Sequence, residues 1–354
     1  MGLPRGQLAL NSYLRMKPRI TTSVIARQAG VHQTTVSLAL RGDKRLSPET
    51  VARIQAVAAS LGYAPDPMLA ALASYRKAQR PSAQRGSLAW VTNWPTRDSW
   101  GNRPMFREFF EGAQRRAAAM GYRLEEFWLN EPGLTAQRSA KILYARGVQG
   151  LVLPPQPDGV STLEFDWDRF SVVTIGPTLR SPELHLVSNS QFRTVSRLCE
   201  ALGARGYQRI GYAIDRVIDD RMDAQWSAAF DRFQRDLPAS RQTPRFEVTP
   251  SKVGLAAWIK AVRPEVVFSC SEQVGEWVRS ITAGAVDFAI LGSVRTRDDS
   301  AGMFENAERV GEMAVERVAS LIHLGERGVP ITATRTLIDA TLVLSGLPGP
   351  CRPA

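Results

Sequence analysis

His32, Gln33, Thr34 and Ser37 place short hydrogen-bonding side chains on one side of a helical stretch, with Leu38 and Arg41 beside them. Such a helix face suits the edges of base pairs in a DNA major groove, where each pair shows its own pattern of donors, acceptors and methyl groups. The helix that carries them starts near His32 and turns Val36, Ala39 and Leu40 inward. It needs a partner to lean on. Thr21, Thr22 or Ser23 can cap a preceding helix, whose one-sided face is Val24, Ile25 and Gln28–Ala29, with small residues at Ala26 and Ala29. Gly30 stands where the chain reverses, a position suited to a residue without Cβ. The pair has the spacing of a helix-turn-helix. An ordinary helical hairpin has the same periodicity, so the residues that follow decide between the two.

Ser47-Pro48-Glu49-Thr50 opens a third helix: Ser as cap, Pro at the first helical position, Glu near the positive end of the dipole. Its apolar face is Val51, Ile54, Val57, Ala58 and Leu61, and Gly62 ends it. Tyr63–Pro67 is extended, because the residue before each proline avoids the α region. Met68–Tyr75 then reads as an apolar helix too short to hold alone. Two roles fit it, a wedge for the minor groove or a helix that docks on the next domain.

AGVHQTTVSLALRG, followed by LSPETVARIQAVAASLGYAPDPMLAALA, resembles the DNA-binding headpiece of the lactose-repressor (LacI/GalR-type) family of transcription regulators. The resemblance implies that His32, Gln33 and Thr34 enter the major groove, that Thr21, Thr35 and Ser37 hold phosphates, and that Leu72 wedges into the minor groove. Three positions depart from the family pattern. Val24 stands for a usual Asp, Leu38 for a frequent Arg, and Asp66 for the hinge Asn. The loss at position 38 removes a common DNA contact, so the operator sequence does not transfer from relatives.

Charge follows the same division. Residues 1–80 hold 12 Lys/Arg against 3 Asp/Glu, so nine of the net +11 sit there. A basic head on a near-neutral body is the footprint of phosphate binding. The 354 residues allow two or three domains. The expected order is a basic tail over 1–19, the headpiece over 20–64, hinge helix and linker over 65–86, a ligand-binding and dimerisation domain over 87–347, and a tail over 348–354. Cys199, Cys270 and Cys351 are too few and scattered for a disulfide framework or metal site. No apolar run reaches membrane-spanning length, and residues 1–19 lack the apolar core of a signal peptide, so the expected location is cytoplasmic.

The long C-terminal part alternates strands and helices. Strands are expected at Ser87–Trp94, Arg123–Leu129, Gly150–Leu153, Ser171–Ile175, Arg209–Ala213, around Phe246–Val248, at Val266–Ser269 and at Phe288–Leu291. Helices are expected at Met105–Met120, Thr135–Arg146, Val195–Gly206, Ala224–Gln234, Lys252–Val262, Gly275–Thr282 and Ala307–Leu324. Such alternation means parallel sheets covered on both faces. The number of elements exceeds one sheet, so two doubly wound subdomains are expected, with crossings near 188–192, 293–297 and 322–328. Ligands in such folds sit beyond the carboxyl ends of the strands, and two facing subdomains make a cleft that can close.

That layout resembles the periplasmic-binding-protein-like effector domain of the same family, on RGYQRIGYAI, RPEVVFSCSE, DFAILGSV and ERVGEMAVERVASLI. The fold class expected for the whole chain is therefore an all-α helix-turn-helix headpiece plus an α/β domain of two doubly wound parallel-sheet subdomains. The ligand positions depart from the family: its Asn-Asp pair is Ser271-Glu272, one Asp is Val294, and another falls near Gly176. Arg221 matches the family's ligand-binding Arg, and Trp226 lies one residue past the aromatic that follows it. Candidate effector contacts are Asn93, Trp94, Pro154, Pro155, Arg221, Trp226, Glu272 and Arg295, with Trp226 fitting a core position as well as a stacking platform. The resemblance implies a small-molecule effector, a sugar or sugar derivative in the first instance. Sugar hydroxyls call for paired carboxylates and amides, and several of those are replaced here.

Enzyme motifs are absent from the sequence: no phosphate-cradling Gly-rich loop, no H-E-x-x-H and no G-x-S-x-G. His32, His185 and His323 lie in separate segments without metal-ligand spacing. The expectation is a non-enzymatic, cofactor-free, homodimeric repressor of a pseudo-palindromic double-stranded operator, dimerising through body helices that include Met105–Met120. The alternative is a solute-binding or sensor protein with only non-specific DNA affinity.

Overall fold

Gly30 takes φ 65°, ψ 34°, and its N–H returns to the Ala26 carbonyl, closing α1 (Thr22–Ala29). The backbone reverses there at no Cβ cost. α2 (Gln33–Ala39) follows after two residues, and α3 (Pro48–Ser60) starts behind Ser47, whose hydroxyl accepts from Thr50 N. The computed structural model describes residues 20–40, 46–63, 86–157, 159, 162–246, 251–293, 301–347 and 349. Its chain divides into two units, 1–81 and 82–354.

The first unit closes on Ile25, Ala26, Ala29, Val36, Ala39, Ile54 and Ala58. Ala26, Ala29 and Ala39 keep side chains short among the packed helices, and Arg53 Nη1 donates to the Ala29 carbonyl at 2.8 Å, tying α3 to the end of α1. Two expectations for α1 are corrected. Thr21 is the N-cap residue in extended backbone, but its side chain makes no capping bond. Gln28 is exposed rather than on the apolar face, since Ile25 and Ala29, four residues apart, define the inward stripe.

The second unit holds two sheets. The first runs β10-β5-β4-β3-β1-β2, all parallel. Its strands are β1 (Gly86–Thr92), β2 (Tyr122–Trp128), β3 (Val148–Leu153), β4 (Ser171–Ile175), β5 (His185–Asn189) and β10 (Arg335–Ile338). The second runs β11-β9-β8-β7-β6, from β6 (Ile210–Tyr212), β7 (Val266–Ser269), β8 (Asp287–Ser293), β9 (Gly302–Phe304) and β11 (Thr341–Val343). β11 pairs antiparallel with β9, which corrects the expectation of a wholly parallel sheet. Helices α4 (Pro104–Ala119), α5 (Ala136–Ala145), α6 (Gln191–Ala204), α7 (Arg216–Arg221), α8 (Gln225–Arg235), α9 (Lys252–Val262), α10 (Glu272–Thr282) and α11 (Ala307–Leu324) complete the unit. β4 and β5 are buried at every residue, as strands covered on both faces must be.

α4 and α11 pack backbone to backbone. A Cβ at Gly112 would lie 2.1 Å from the Glu308 carbonyl oxygen, and one at Gly311 would lie 1.9 Å from that of Phe109. Only glycine permits that approach. α11 thereby packs on the first sheet, although β9 just before it belongs to the second. The chain accordingly changes subdomain after Asn189, after Phe304 and after Ile338. The expected crossings near 293–297 and 322–328 are displaced: β8 and β9 share one sheet, and both α11 and β10 belong with the other.

β5, β9, β10, β11 and α7 have no counterpart in the sequence reading. They are short, and β10 alternates exposed with half-buried residues as an edge strand. Phe246 makes a bridge to Ala213, and the rest of the strand expected around Phe246–Val248 lies outside the described residues. Among the described residues no helix is long and apolar enough to cross a membrane.

Candidate nucleic-acid interface and effector cleft

On the headpiece, His32, Gln33, Thr34 and Thr21 are exposed, whereas Thr35, Ser37 and Leu38 are half-buried on the same helix. His32 is also the N-cap of α2. Its Nδ1 accepts from Thr34 N at 3.4 Å and lies 2.8 Å from Thr34 Oγ1. A ring whose Nδ1 accepts carries its neutral-state proton on Nε2, giving a donor on the other edge. Gln33 Nε2 donates to Thr22 Oγ1 at 2.8 Å, which braces the amide against the first turn of α1. By its sequence position alone, Thr22 is a possible cap of α1. Arg41 and Leu72 lie outside the described residues.

The second unit holds a cavity of about 410 Å³. Its wall is built where strands end: Pro155 after β3, Gly176 after β4, Ser188 and Asn189 on β5, Cys270 after β7, Gly292 on β8 and Glu305 after β9. Both sheets contribute, at their carboxyl ends, as open α/β folds place their ligand crevices. Arg103, Phe106 and Phe109 enter from α4 and its N-cap, Ile218 and Arg221 from α7, Met222 just after it, and Trp226 from α8.

A buried chain of hydrogen bonds runs along one side. Trp226 Nε1 donates to Gln191 Oε1 at 2.5 Å, and Gln191 Nε2 donates to Glu305 Oε1 at 3.0 Å. Gln191 and Glu305 flank two of the three subdomain crossings, so this chain ties the crossings to α8. Burial pushes the Glu305 carboxyl up to about 7, against the smaller opposing effect of the Gln191 bond. Burial also pushes the Cys270 thiol up to about 12, which keeps it protonated and unreactive. Asn189 is 3% exposed, and its Nδ2 has no hydrogen-bond partner. Arg221 Nη2 donates to the Gln156 carbonyl at 2.8 Å, joining the two subdomains at the cavity.

Of the residues picked out from sequence, Pro155, Arg221, Trp226 and Glu272 line this cavity, with Glu272 exposed at its edge. Asn93, Trp94 and Pro154 do not. β1 ends at Thr92, and Asn93 and Trp94 sit in the irregular segment that follows. Asn93 O accepts from Asn130 Nδ2 at 2.7 Å. Trp94 is buried, donates from Nε1 to Pro155 O at 3.1 Å and lies under the Arg103 guanidinium. Arg295 is outside the described residues. Arg103, Asn189, Gln191 and Glu305 were missed. The run Ser188-Asn189-Ser190-Gln191 before an amphipathic helix was the available signal, obscured because β5 was not recognised as a strand.

His185 is buried, with Nδ1 2.8 Å from Thr334 Oγ1 and Nε2 2.8 Å from Glu326 Oε1. Among the described residues no group of three or more His, Cys, Asp or Glu is placed to hold a metal ion.

One chain thus joins a helix-turn-helix unit to a two-sheet α/β unit with a cleft at its strand ends. Residues 23–66 match the family model described as bacterial regulatory proteins, lacI family. The chain is 27% identical over 262 residues to the HTH-type transcriptional regulator PtxS of Pseudomonas plecoglossicida, covering 72% of each chain. Its fold is similar to that of the Lac repressor bound to ONPG in the repressed state (TM-score 0.51, 16% identity, 92% of this chain and 98% of that one). It is also similar to the LacI family transcriptional regulator CCPA from Weissella paramesenteroides with bound glucose (TM-score 0.50, 11% identity, 73% and 96%). Residues 23–66 thus carry a helix-turn-helix domain of the lacI type, and the second unit has a periplasmic-binding-protein-like α/β fold similar to that of the Lac repressor.

Proposed function

We propose that this protein is a homodimeric repressor whose affinity for a pseudo-palindromic operator is set by a small ligand in the cleft of the second unit. One observation carries the reading most directly: a cavity walled by the carboxyl ends of strands from both sheets, in a chain with a lacI-family headpiece. In this reading His32, Gln33 and Thr34 face bases, and Thr21, Thr35 and Ser37 hold phosphates. Leu38 and Arg41 flank them, and Leu72 wedges into the minor groove between two half-sites. Arg221, Pro155, Trp226 and Glu272 border the ligand. The ligand acts by its differential affinity for two arrangements of the subdomains, because equal affinity would shift nothing.

The test is a selection from random duplex DNA with the full chain, carried out at two salt concentrations. Recovery of one pseudo-palindrome at both supports a dimeric, sequence-reading regulator. Sequence-independent binding that vanishes with salt overturns it, and leaves a sensor whose basic head is an electrostatic anchor.

A further inference from the structure

The cavity wall is unevenly divided between apolar surface and hydrogen-bond donors. Phe106, Phe109, Ile175, Met222 and Trp226 supply broad apolar faces. The polar groups next to them include two guanidinium groups and the Asn189 amide, with the carboxylates Glu305, which is buried, and Glu272, which is exposed at the edge. Asn189 Nδ2 is a buried N–H donor without a partner, a condition native interiors rarely leave uncompensated. Arg103 and Arg221 bring two guanidinium groups to the wall.

Three helices also begin there. α4, α6 and α10 have N-caps, Arg103, Ser190 and Ser271, that make no side-chain capping bond, and residues of each first turn or its flank line the cavity. Uncapped N-termini carry partial positive charge and exposed N–H groups, which favour anions. Two acceptors deep in the wall already have donors. Gln191 Oε1 takes the Trp226 N–H, and Glu305 Oε1 takes the Gln191 amide. Burial holds Glu305 partly protonated near neutral pH, which weakens its repulsion of an anion.

We propose that the cleft binds a small organic carboxylate with an apolar, ring-sized body: the carboxylate meets Asn189 Nδ2 and the positive end of the wall, and the ring lies against Phe106, Phe109 and Trp226. This deepens the reading of the cleft as the effector site and rests on it. A neutral sugar needs acceptors as well as donors for each hydroxyl, and here Gln191 Oε1 and Glu305 Oε1 already accept from Trp226 and Gln191. A cavity of about 410 Å³ is within the size range of small-molecule sites.

The experiment is calorimetric titration of the full chain with naphthalene-2-carboxylate and 3-phenylpropionate. The corresponding primary amides, glucose, fructose and adenosine are titrated in parallel. The expected result is saturable binding of at least one carboxylate, with its amide weaker by about tenfold or more and the sugars weaker still. Asn189→Leu should weaken the carboxylate by about tenfold. If that variant unfolds, Arg103→Gln serves, with the same loss expected. Equal binding of acid and amide, or a hexose or adenosine preferred over every carboxylate, overturns the proposal and leaves the effector reading standing. Failure of both carboxylates overturns it as well, and failure of the whole panel takes the effector reading with it.

Discussion

Glu305→Gln should make the second unit more stable than the parent at alkaline pH, and nearly equal to it in acid. The Glu305 carboxyl is buried at the cleft and its protonation midpoint rises from 4.5 to about 7. Between those values the folded chain holds a proton that the unfolded chain has released. Folding stability from this group is therefore fully present below about 4.5, falls as pH rises, and levels off above about 7. A shift of that size corresponds to about 3 kcal/mol at most, at about 1.4 kcal/mol per unit. Glutamine has nearly the same shape, cannot ionise, and keeps an oxygen to accept from Gln191, so the penalty should disappear with little change in packing. All eight tryptophans lie after residue 81, so their fluorescence follows the second unit alone. Urea unfolding of parent and variant, read that way between about pH 5 and pH 8, gives a difference in which other titrations cancel. A difference that widens with pH, in favour of glutamine, is expected. A difference independent of pH would refute the reasoning and show that Glu305 ionises as an ordinary surface carboxylate.

Gln33→Ala should change base preference at one or two operator positions, measured by repeating the DNA selection. A uniform loss across all sequences would place Gln33 on phosphate instead. Gly311→Ala should destabilise the second unit by about 3 kcal/mol, because its Cβ would fall 1.9 Å from the Phe109 carbonyl oxygen. Urea unfolding followed by tryptophan fluorescence checks this. Ser47→Ala should lower headpiece stability by about 1 kcal/mol through loss of the cap on α3. Circular dichroism should show an earlier headpiece transition, while tryptophan fluorescence stays unchanged.

The three described helices of the first unit were legible, since their signals are local. Gly30 at a positive φ, the cap Ser47 followed by Pro48, and the apolar spacing from Ile25 to Ala29 each act within one or two turns of chain. The cleft was legible only in part. Arg221 and Trp226 came from a sequence resemblance. Asn189 and Glu305 follow short buried runs whose sheet assignment depends on partners far away in the chain. Trp94 failed for a related reason: a strand end in sequence carries no information on whether its indole faces a cavity or a core.

Sequence alone determined that a basic helix-turn-helix precedes a strand-and-helix body, because turn chemistry, capping and hydrophobic period are short-range properties of neighbouring residues. Only the tertiary structure decided where the chain passes between sheets, and that Gly112 and Gly311 bring two helices into backbone contact. It alone placed Gln191 between Glu305 and Trp226, and left Asn189 Nδ2 at the cavity without a partner. Those facts depend on residues far apart in the chain meeting in space, and neither spacing nor composition encodes such meetings.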